Sequence, residues 1–504
     1  MGTARMTDPA SPRAIRCHPA DGVGIALADL APGEVIRLGE VRVGLRGPIP
    51  KGHKFALQPH ALGEVVRRYG EAIGRATAAI APGEHVHTHN LATALGGERR
   101  YADSGMRAAN GPVAATLGTW RGYACGDGRF ATRNEIWLLP TVGCVAPLAE
   151  MAAREASLRH AGRIDAIAGF GHPHGCSQLG DDLAGTRAAL AALCDNPNAG
   201  GVVLIGLGCE SNQLDALIAC VPERSRAKLR VLRAQDAGDE LAEVMALVDD
   251  LVDQLAPRQR EEVAAAALTV GLKCGGSDAF SGLTANPLLG RFSERLAASG
   301  GRVILTEIPE IFGAEDALLA RAITPQVFEA AGALVNRFKR HYLDLGLPVS
   351  ENPSPGNIAG GITTLEEKSL GAVQKAGAVP LADVIFYGET VSRSGLTLLE
   401  APGNDAVSST ALAAAGAGLI LFTTGRGTPL GFPVPTVKVA SNTALAEAKP
   451  GWIDFDAGAL LGGDADAVLE AFSDRLLAIA SGEPTAAERS GQRVIALWKR
   501  GVTL

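Results

Sequence analysis

The stretch GEHVHTHN, residues 83–90, sets His85, His87 and His89 at alternating positions, three of the ten histidines in the chain. In a strand, residues two apart share a face at about 6–7 Å. Imidazoles so placed can converge on one metal ion, although an exposed or core-satisfied histidine run fits the spacing equally well. His18 in RCHPAD and His53 in KGHKFAL belong to the same small module and raise the weight of chemistry there. Other reactive side chains sit in glycine-rich turns that follow apolar runs. They are His172, His174 and Cys176 in GHPHGC, Cys209 and Glu210 in LGCE, and Lys273, Cys274 and Asp278 in KCGGSD. Arg426 in TTGRG and Lys438 in TVKVASN are cations of the C-terminal half; arginine forks onto carboxylates, and a surface salt bridge is the plainer alternative. Glu307 and Glu310 in TEIPE suit acid–base work, metal binding or capping. Cys176, Cys209 and Cys274, in three glycine loops, could together hold an iron–sulfur cluster; against this, free cysteine is often a small buried hydrophobe.

The elements that must position these groups change character along the chain. Residues 14–95 read as a small β-rich module, with short strands such as VGIALADL and EHVHTHNLA between glycine and proline turns. ALGEVVRRYGEAIGRA is its one amphipathic stretch, and residues 1–13 read as a loose tail. Residues 96–122 lack periodicity and read as a linker. From about 123 onward, apolar runs such as IWLLPTVGCV and GGVVLIGLGC alternate with helical segments such as DDLAGTRAALAALC. This is the grammar of βαβ units and a doubly wound, mostly parallel sheet. One α/β region is expected over 123–259 and a second over 260–504, with AGDELAEVMALVDDLVDQLAPRQREEVAAAAL as a long helical piece between them. In such sheets ligands bind beyond the carboxyl ends of the strands, where the glycine turns lie.

With 504 residues the chain needs several domains. Charged residues are 20%, hydrophobic residues 47% and the net charge is −7, so a soluble globular protein is expected and nucleic acid is excluded as a partner. The longest apolar run, AGAGLILFTTG, is too short for a bilayer, and the N-terminus has no apolar signal core. Eight dispersed cysteines without a C-x-x-C pair read as reduced thiols in the cytoplasm. No full G-x-G-x-x-G fingerprint follows a strand, which argues against a nicotinamide dehydrogenase.

Taken in order, HPADGVGIALADL, GHKFAL, GEHVHTHN, GYACGDGRFATRNEIW, HPHGCSQLGDD, KCGGSDAFSGLTANP, TEIPEIFGAE, ENPSPGNIAGGITTLEEKSLG and TTGRGTP resemble blocks of the altronate and galactarate dehydratase family. The resemblance covers about residues 14–500. It implies an N-terminal β-clip (SAF-like) domain before the α/β body. It further implies a hydro-lyase that converts a sugar acid to a 2-keto-3-deoxy acid with a divalent metal, iron(II) expected and manganese(II) the alternative. On this reading His87 and His89 hold the metal, with His18 and His53 as further ligand or base. Cys274 and Asp278 join the catalytic groups, with Cys176 beside them on the floor of the site. Asn352, Asn357, Lys368, Arg426, Lys438 and His174 would bind substrate. The β-clip would close over the body, and a homo-oligomer is compatible with the pattern. Asn404, Phe432 and Ala279 depart from the family's pattern and are expected to line the substrate pocket. A related C–S lyase acting on a sulfolactate-type substrate and a non-catalytic sugar-acid-binding protein are the alternatives.

Overall fold

A computed structural model describes residues 12–103, 105 and 115–504. Most of the expected N-terminal tail and part of the expected linker lie outside the described residues. The chain opens with short strands in small antiparallel sheets, the largest ordered Ala14–Ile15, Val23–Ala26, Lys54–Ala56, His85–Val86. The amphipathic stretch at 61–76 is not a helix. It is a hairpin of Val65–Arg68 and Glu71–Ala76, turned through Tyr69 and Gly70, both at positive φ. Its apolar face, Val66 and Ile73, is buried, which explains why the spacing looked amphipathic. The histidine stretch also differs from expectation: the strand stops at Val86, and His87–Asn90 form a turn. Asn90 fixes that turn by accepting from the His87 amide at 2.9 Å and donating to the His85 carbonyl at 2.9 Å.

The body holds two all-parallel sheets. The first is ordered Ala166–Gly169, Glu135–Pro140, Ala199–Gly206, Leu229–Arg233. The second has seven strands, ordered Leu381–Ile385, Gly395–Leu399, Arg302–Leu305, Thr269–Cys274, Leu419–Thr424, Thr436–Ala440, Phe455–Asp456. Central strands such as LILFTT are buried at every position, as a sheet covered on both faces requires. The helices Asp181–Asp195 and Asp405–Ala414 pack together between the sheets, in a core shared by Trp137, Leu190, Leu412 and Phe422. The long helical piece expected across 237–268 ends at Leu255; Glu261–Ala264 form a strand instead, paired antiparallel with Thr119–Ala124. Pro257 has no amide to bond the Asp253 carbonyl, so the helix stops before it. The stretch expected as a linker thus ends in an ordered strand.

Both parallel sheets contain a point where the strand order reverses. In the larger sheet, Thr269–Cys274 leads to its neighbour on one side and Leu419–Thr424 to its neighbour on the other. The crevice between their carboxyl ends is where such sheets bind ligands. The N-terminal domain is docked beside this end of the body through one short helix, Leu365–Val373, whose N-cap is Thr364.

Candidate active site

Cys274 is the last residue of its strand, and the neighbouring strand delivers Glu307 and Glu310 directly after Leu305. Glu307 adopts the left-handed conformation, φ 67°, which is uncommon for a residue with a side chain and accumulates at functional sites. The Cys274 Sγ lies 3.1 Å from Glu310 Oε2, and one donor atom from each of Cys274, Glu307 and Glu310 falls within 4.8 Å of the others. Three lysines close the group. Lys375 Nζ donates to the Cys274 sulfur at 2.8 Å, Lys368 Nζ to Glu310 at 2.8 Å, and Lys273 Nζ to Glu307 and, at 2.8 Å, to Asp405. Charges this deeply buried survive only when paired, and here every one is. Burial pushes the Cys274 thiol up to about 12, so it stays protonated. Burial would also raise Glu310, but Lys368, Lys273 and Lys375 hold it at about 2. Burial works against the Lys368 charge, yet the Glu310 carboxylate at 2.8 Å keeps its ammonium above the ordinary range.

Lys368 looks two ways, because its ammonium also donates to Asn352 Oδ1 at 3.0 Å. Asn357 is committed to structure: its side chain forms a capping box with Ser354 and donates to the Ser277 carbonyl at 2.7 Å. Asp278 accepts from Ser281, Ser441 and Asn442, which ties the loops at the reversal point together. Arg426 follows the neighbouring strand, its backbone bonded to Gly276; its exposed side chain passes Gly356 and has no ion-pair partner among the described residues.

The histidines approach from the N-terminal domain. His53 Nδ1 and His85 Nε2 are 3.0 Å apart, and the His87 ring lies 4.8 Å from His53 and 5.4 Å from His85, with His89 5.5 Å from His85. His87 Nδ1 bonds Thr363 Oγ1 at 3.0 Å, across the domain boundary. Burial, reinforced by the neighbouring rings, lowers His85 to about 3 and His87 to about 4, so both are neutral imidazoles. The boundary itself is a buried ion triad. Glu367 takes Lys54 at 2.8 Å on one oxygen and Arg68 on the other, and Lys54 also donates to the Gly361 carbonyl at 2.8 Å. One segment, residues 352–368, therefore touches the histidines through Thr363, the N-terminal domain through Glu367 and the cysteine–carboxylate group through Lys368.

The chain matches three family profiles in succession: the altronate/galactarate dehydratase SAF domain over residues 12–94, the D-galactarate dehydratase/altronate hydrolase second domain over 122–256, and the D-galactarate/altronate dehydratase C-terminal domain over 265–503. The chain belongs to the D-galactarate/altronate dehydratase family. It is 45% identical to the altronate dehydratase of Bacillus subtilis, over 97% of this chain and 99% of that one. It is 44% identical to the altronate dehydratase of Escherichia coli with the same coverage. The galactarate dehydratase (L-threo-forming) of E. coli is 31% identical over 89% of each chain. As a family member the chain is a hydro-lyase.

Dehydratases of this kind are expected to use a divalent metal, and two donor sets here are candidates for it. Cys274, Glu307 and Glu310 are close enough to share an ion, yet each already faces a lysine. The histidines are the second set, although among the described residues no three of their ring nitrogens come within 4.8 Å of one another. The His87 and His89 rings flank His85 at 5.4 and 5.5 Å. Neutral imidazoles meet the chemical need, and the neighbouring Lys54 cation is engaged by Glu367. The Thr363 hydroxyl orients His87 in the way that outer partners orient metal-bound histidine.

Several expected site residues stand elsewhere. The exposed His18 packs over Gly70, its Nδ1 accepting from the Ala20 amide, and makes no contact with the other histidines. His174 and Cys176 lie at the smaller sheet; Cys176 accepts from Ser211, and Cys209 sits against Gln235. Cys176 and Cys209 follow strands of the smaller sheet, whereas Cys274 ends a strand of the larger one, buried against Glu310 and Lys375, so the structure does not bring those three turns together. Lys438 is buried, which lowers it to about 8, with the Pro429 carbonyl at 3.4 Å as its ammonium's neighbour. Asn404 caps the helix Asp405–Ala414, and Phe432 is buried and stacked on Phe422, so neither lines the site. Lys375 and the docking pair Lys54–Arg68 were not singled out from sequence. Nothing local marks them, since their partners lie about 100–300 positions away.

Proposed function

We propose that the chain dehydrates a sugar acid of the altronate type to a 2-keto-3-deoxy acid. What carries this reading is the meeting, along residues 352–368, of the neutral histidines with the Lys368–Glu310 pair. The greater identity to altronate dehydratases than to the galactarate enzyme favours an aldonate over an aldarate. Eight free cysteines favour a reducing compartment.

The reaction removes the C2 proton beside the carboxylate, expels the C3 hydroxyl as water, and leaves an enol that tautomerises to the 2-keto acid. A metal held by His85, His87 and His89 would supply Lewis acidity at the substrate's carboxylate end. His53, lowered by burial and hence a neutral imidazole, is the base that accepts the C2 proton. The Arg426 guanidinium, unpaired and exposed, takes the substrate carboxylate. The Lys368 ammonium, held protonated by Glu310, protonates the departing hydroxyl, with Asn352 aligning it. Cys274, Lys273 and Lys375 lie below and hold Glu307 and Glu310 in place without touching substrate. Asp278 keeps the Gly275–Ser277 and Gly425–Arg426 turns together.

The test is formation of 2-keto-3-deoxy acid by protein supplied with iron(II) or manganese(II), offered hexonates, pentonates and hexarates. Product from altronate and at most one or two relatives is the expected result. Turnover of hexarates alone would overturn the aldonate assignment, and binding of hexonates without turnover would overturn the catalytic one.

A further inference from the structure

The smaller parallel sheet repeats the arrangement of the larger one, and its own reversal point is unused by the chemistry above. Glu135–Pro140 leads to its neighbour on one side, and Ala199–Gly206 to its neighbour on the other. Each of the three strands around this crevice ends in a glycine-cysteine turn: VGC with Cys144, HGC with Cys176 and LGC with Cys209. All three thiols are exposed and free.

The three turns are locked to one another. The Gly143 amide donates to the His174 carbonyl at 2.9 Å, and the Asn212 amide to the Gly175 carbonyl at 2.9 Å. Asn212 also donates from its side chain to the Thr141 carbonyl at 3.2 Å. Glu210, buried, accepts from the Thr141 hydroxyl at 2.7 Å and from the Gly208 amide at 2.6 Å. The glycines are required by these approaches: a Cβ on Gly175, at φ +102°, would stand 2.0 Å from the Thr141 carbonyl oxygen. Each thiol is thus within three residues of a bond that fixes one turn to another. Buried polar groups hold the frame, and the sulfurs are left outward. Cys176 accepts from Ser211, which lowers its thiol below the ordinary range and favours thiolate.

We infer that Cys144, Cys176 and Cys209 form a binding site for an iron–sulfur cluster of the cubane class, built on the second domain and separate from the Cys274–histidine site. Thiolates are the ligands such clusters take. A cubane spaces its ligand sulfurs more widely than a single ion does, which suits three thiols on three strand ends. Three thiolates leave one iron for a ligand other than cysteine. Cys274, buried under Lys375, takes no part.

The experiment uses the full chain, purified without oxygen and reconstituted with equal amounts of iron(II) and iron(III) and with sulfide, then freed of unbound reagents. The readouts are broad visible absorbance, iron and acid-labile sulfide per chain, and protection of individual thiols from alkylation by mass spectrometry. About four iron and four sulfide per chain are expected, with Cys144, Cys176 and Cys209 protected and Cys220 reactive. Cys144→Ser, Cys176→Ser and Cys209→Ser should each lose most of the sulfide, while Cys220→Ser keeps it. The protection pattern reads the wild-type chain, so it decides the matter even where a variant folds poorly. Absence of labile sulfide after reconstitution, sulfide retained in the triple variant, or three thiols that alkylate freely in the sulfide-loaded chain would each overturn the proposal.

Discussion

At the scale of single residues, the site divides into groups that touch substrate or metal and groups that keep those in place. His87→Ala and His89→Ala should lose bound metal and turnover together, with far-UV circular dichroism unchanged; full metal occupancy in either would remove that histidine from the ligand set. Lys368→Met removes the proposed acid and should lower kcat by about 10²–10⁴-fold, with a smaller effect on KM, measured by steady-state kinetics. An unchanged kcat would reassign the proton donor. The histidines stood out in the sequence because six of them crowd one small module. The geometric reason offered by their alternation was mistaken, since only His85 lies in the strand and the turn at His87–Asn90 gathers the rings instead. Glu307 and Glu310 could be noted as paired carboxylates, but their meeting with Cys274 needs the adjacency of two strands, and that with Lys375 a helix about 100 residues on. Likewise Cys209 and Cys176 looked like partners of Cys274 only until two separate sheets divided them.

At the scale of elements, the helix Leu365–Val373 and the loop before it decide whether the site exists. Leu365, Leu370 and Val373 fill a core that also receives Val66 and Ile73 of the N-terminal hairpin; each such side chain contributes about 1.5–3 kcal/mol when fully buried. Gly361 permits the close approach. It sits at φ +93°, and a Cβ there would lie 2.5 Å from the Gly52 carbonyl oxygen. Gly361→Ala should therefore push the two domains apart at the histidines and reduce activity severely while the body stays folded, as activity assays beside near-UV circular dichroism would register. Wild-type activity would mean that this approach does not matter. The alternating strands and helices of the body were readable because parallel strands buried on both faces are continuous apolar runs. The hairpin at 65–76 was not, because its turn rests on positive φ at Tyr69 as well as Gly70, and tyrosine gives no turn signal.

At the scale of the whole molecule, the N-terminal domain is held to the body by Glu367 with Lys54 and Arg68. Burial would raise Glu367, but the two cations hold it at about 2, well below its ordinary 4.5. A depressed carboxylate stabilises the folded state above its unfolded value, and that contribution is lost as pH falls from about 4.5 towards 2. Docking should weaken over that window, detected as rising protease sensitivity between the domains. Glu367→Gln should bring the same weakness to neutral pH at a cost of about 3–5 kcal/mol, because two buried cations lose their partner. Insensitivity of the variant would show that apolar packing alone holds the domains. Neither partner of this triad could be read from the sequence, since about 300 residues separate them. Among the described residues no helix is long and apolar enough to cross a membrane.

The core shared between Ile73 and Leu365 also sets a timetable for synthesis. Some 290 residues separate the two, so at about 5–20 residues per second a ribosome needs roughly 15–60 s to deliver the helix that covers the hairpin. For that interval Val66, Ile73 and Leu91 lack the cover that Leu365 and its helix supply. Nascent chains arrested before residue 365 should bind a holdase chaperone, and chains arrested well beyond 373 should release it.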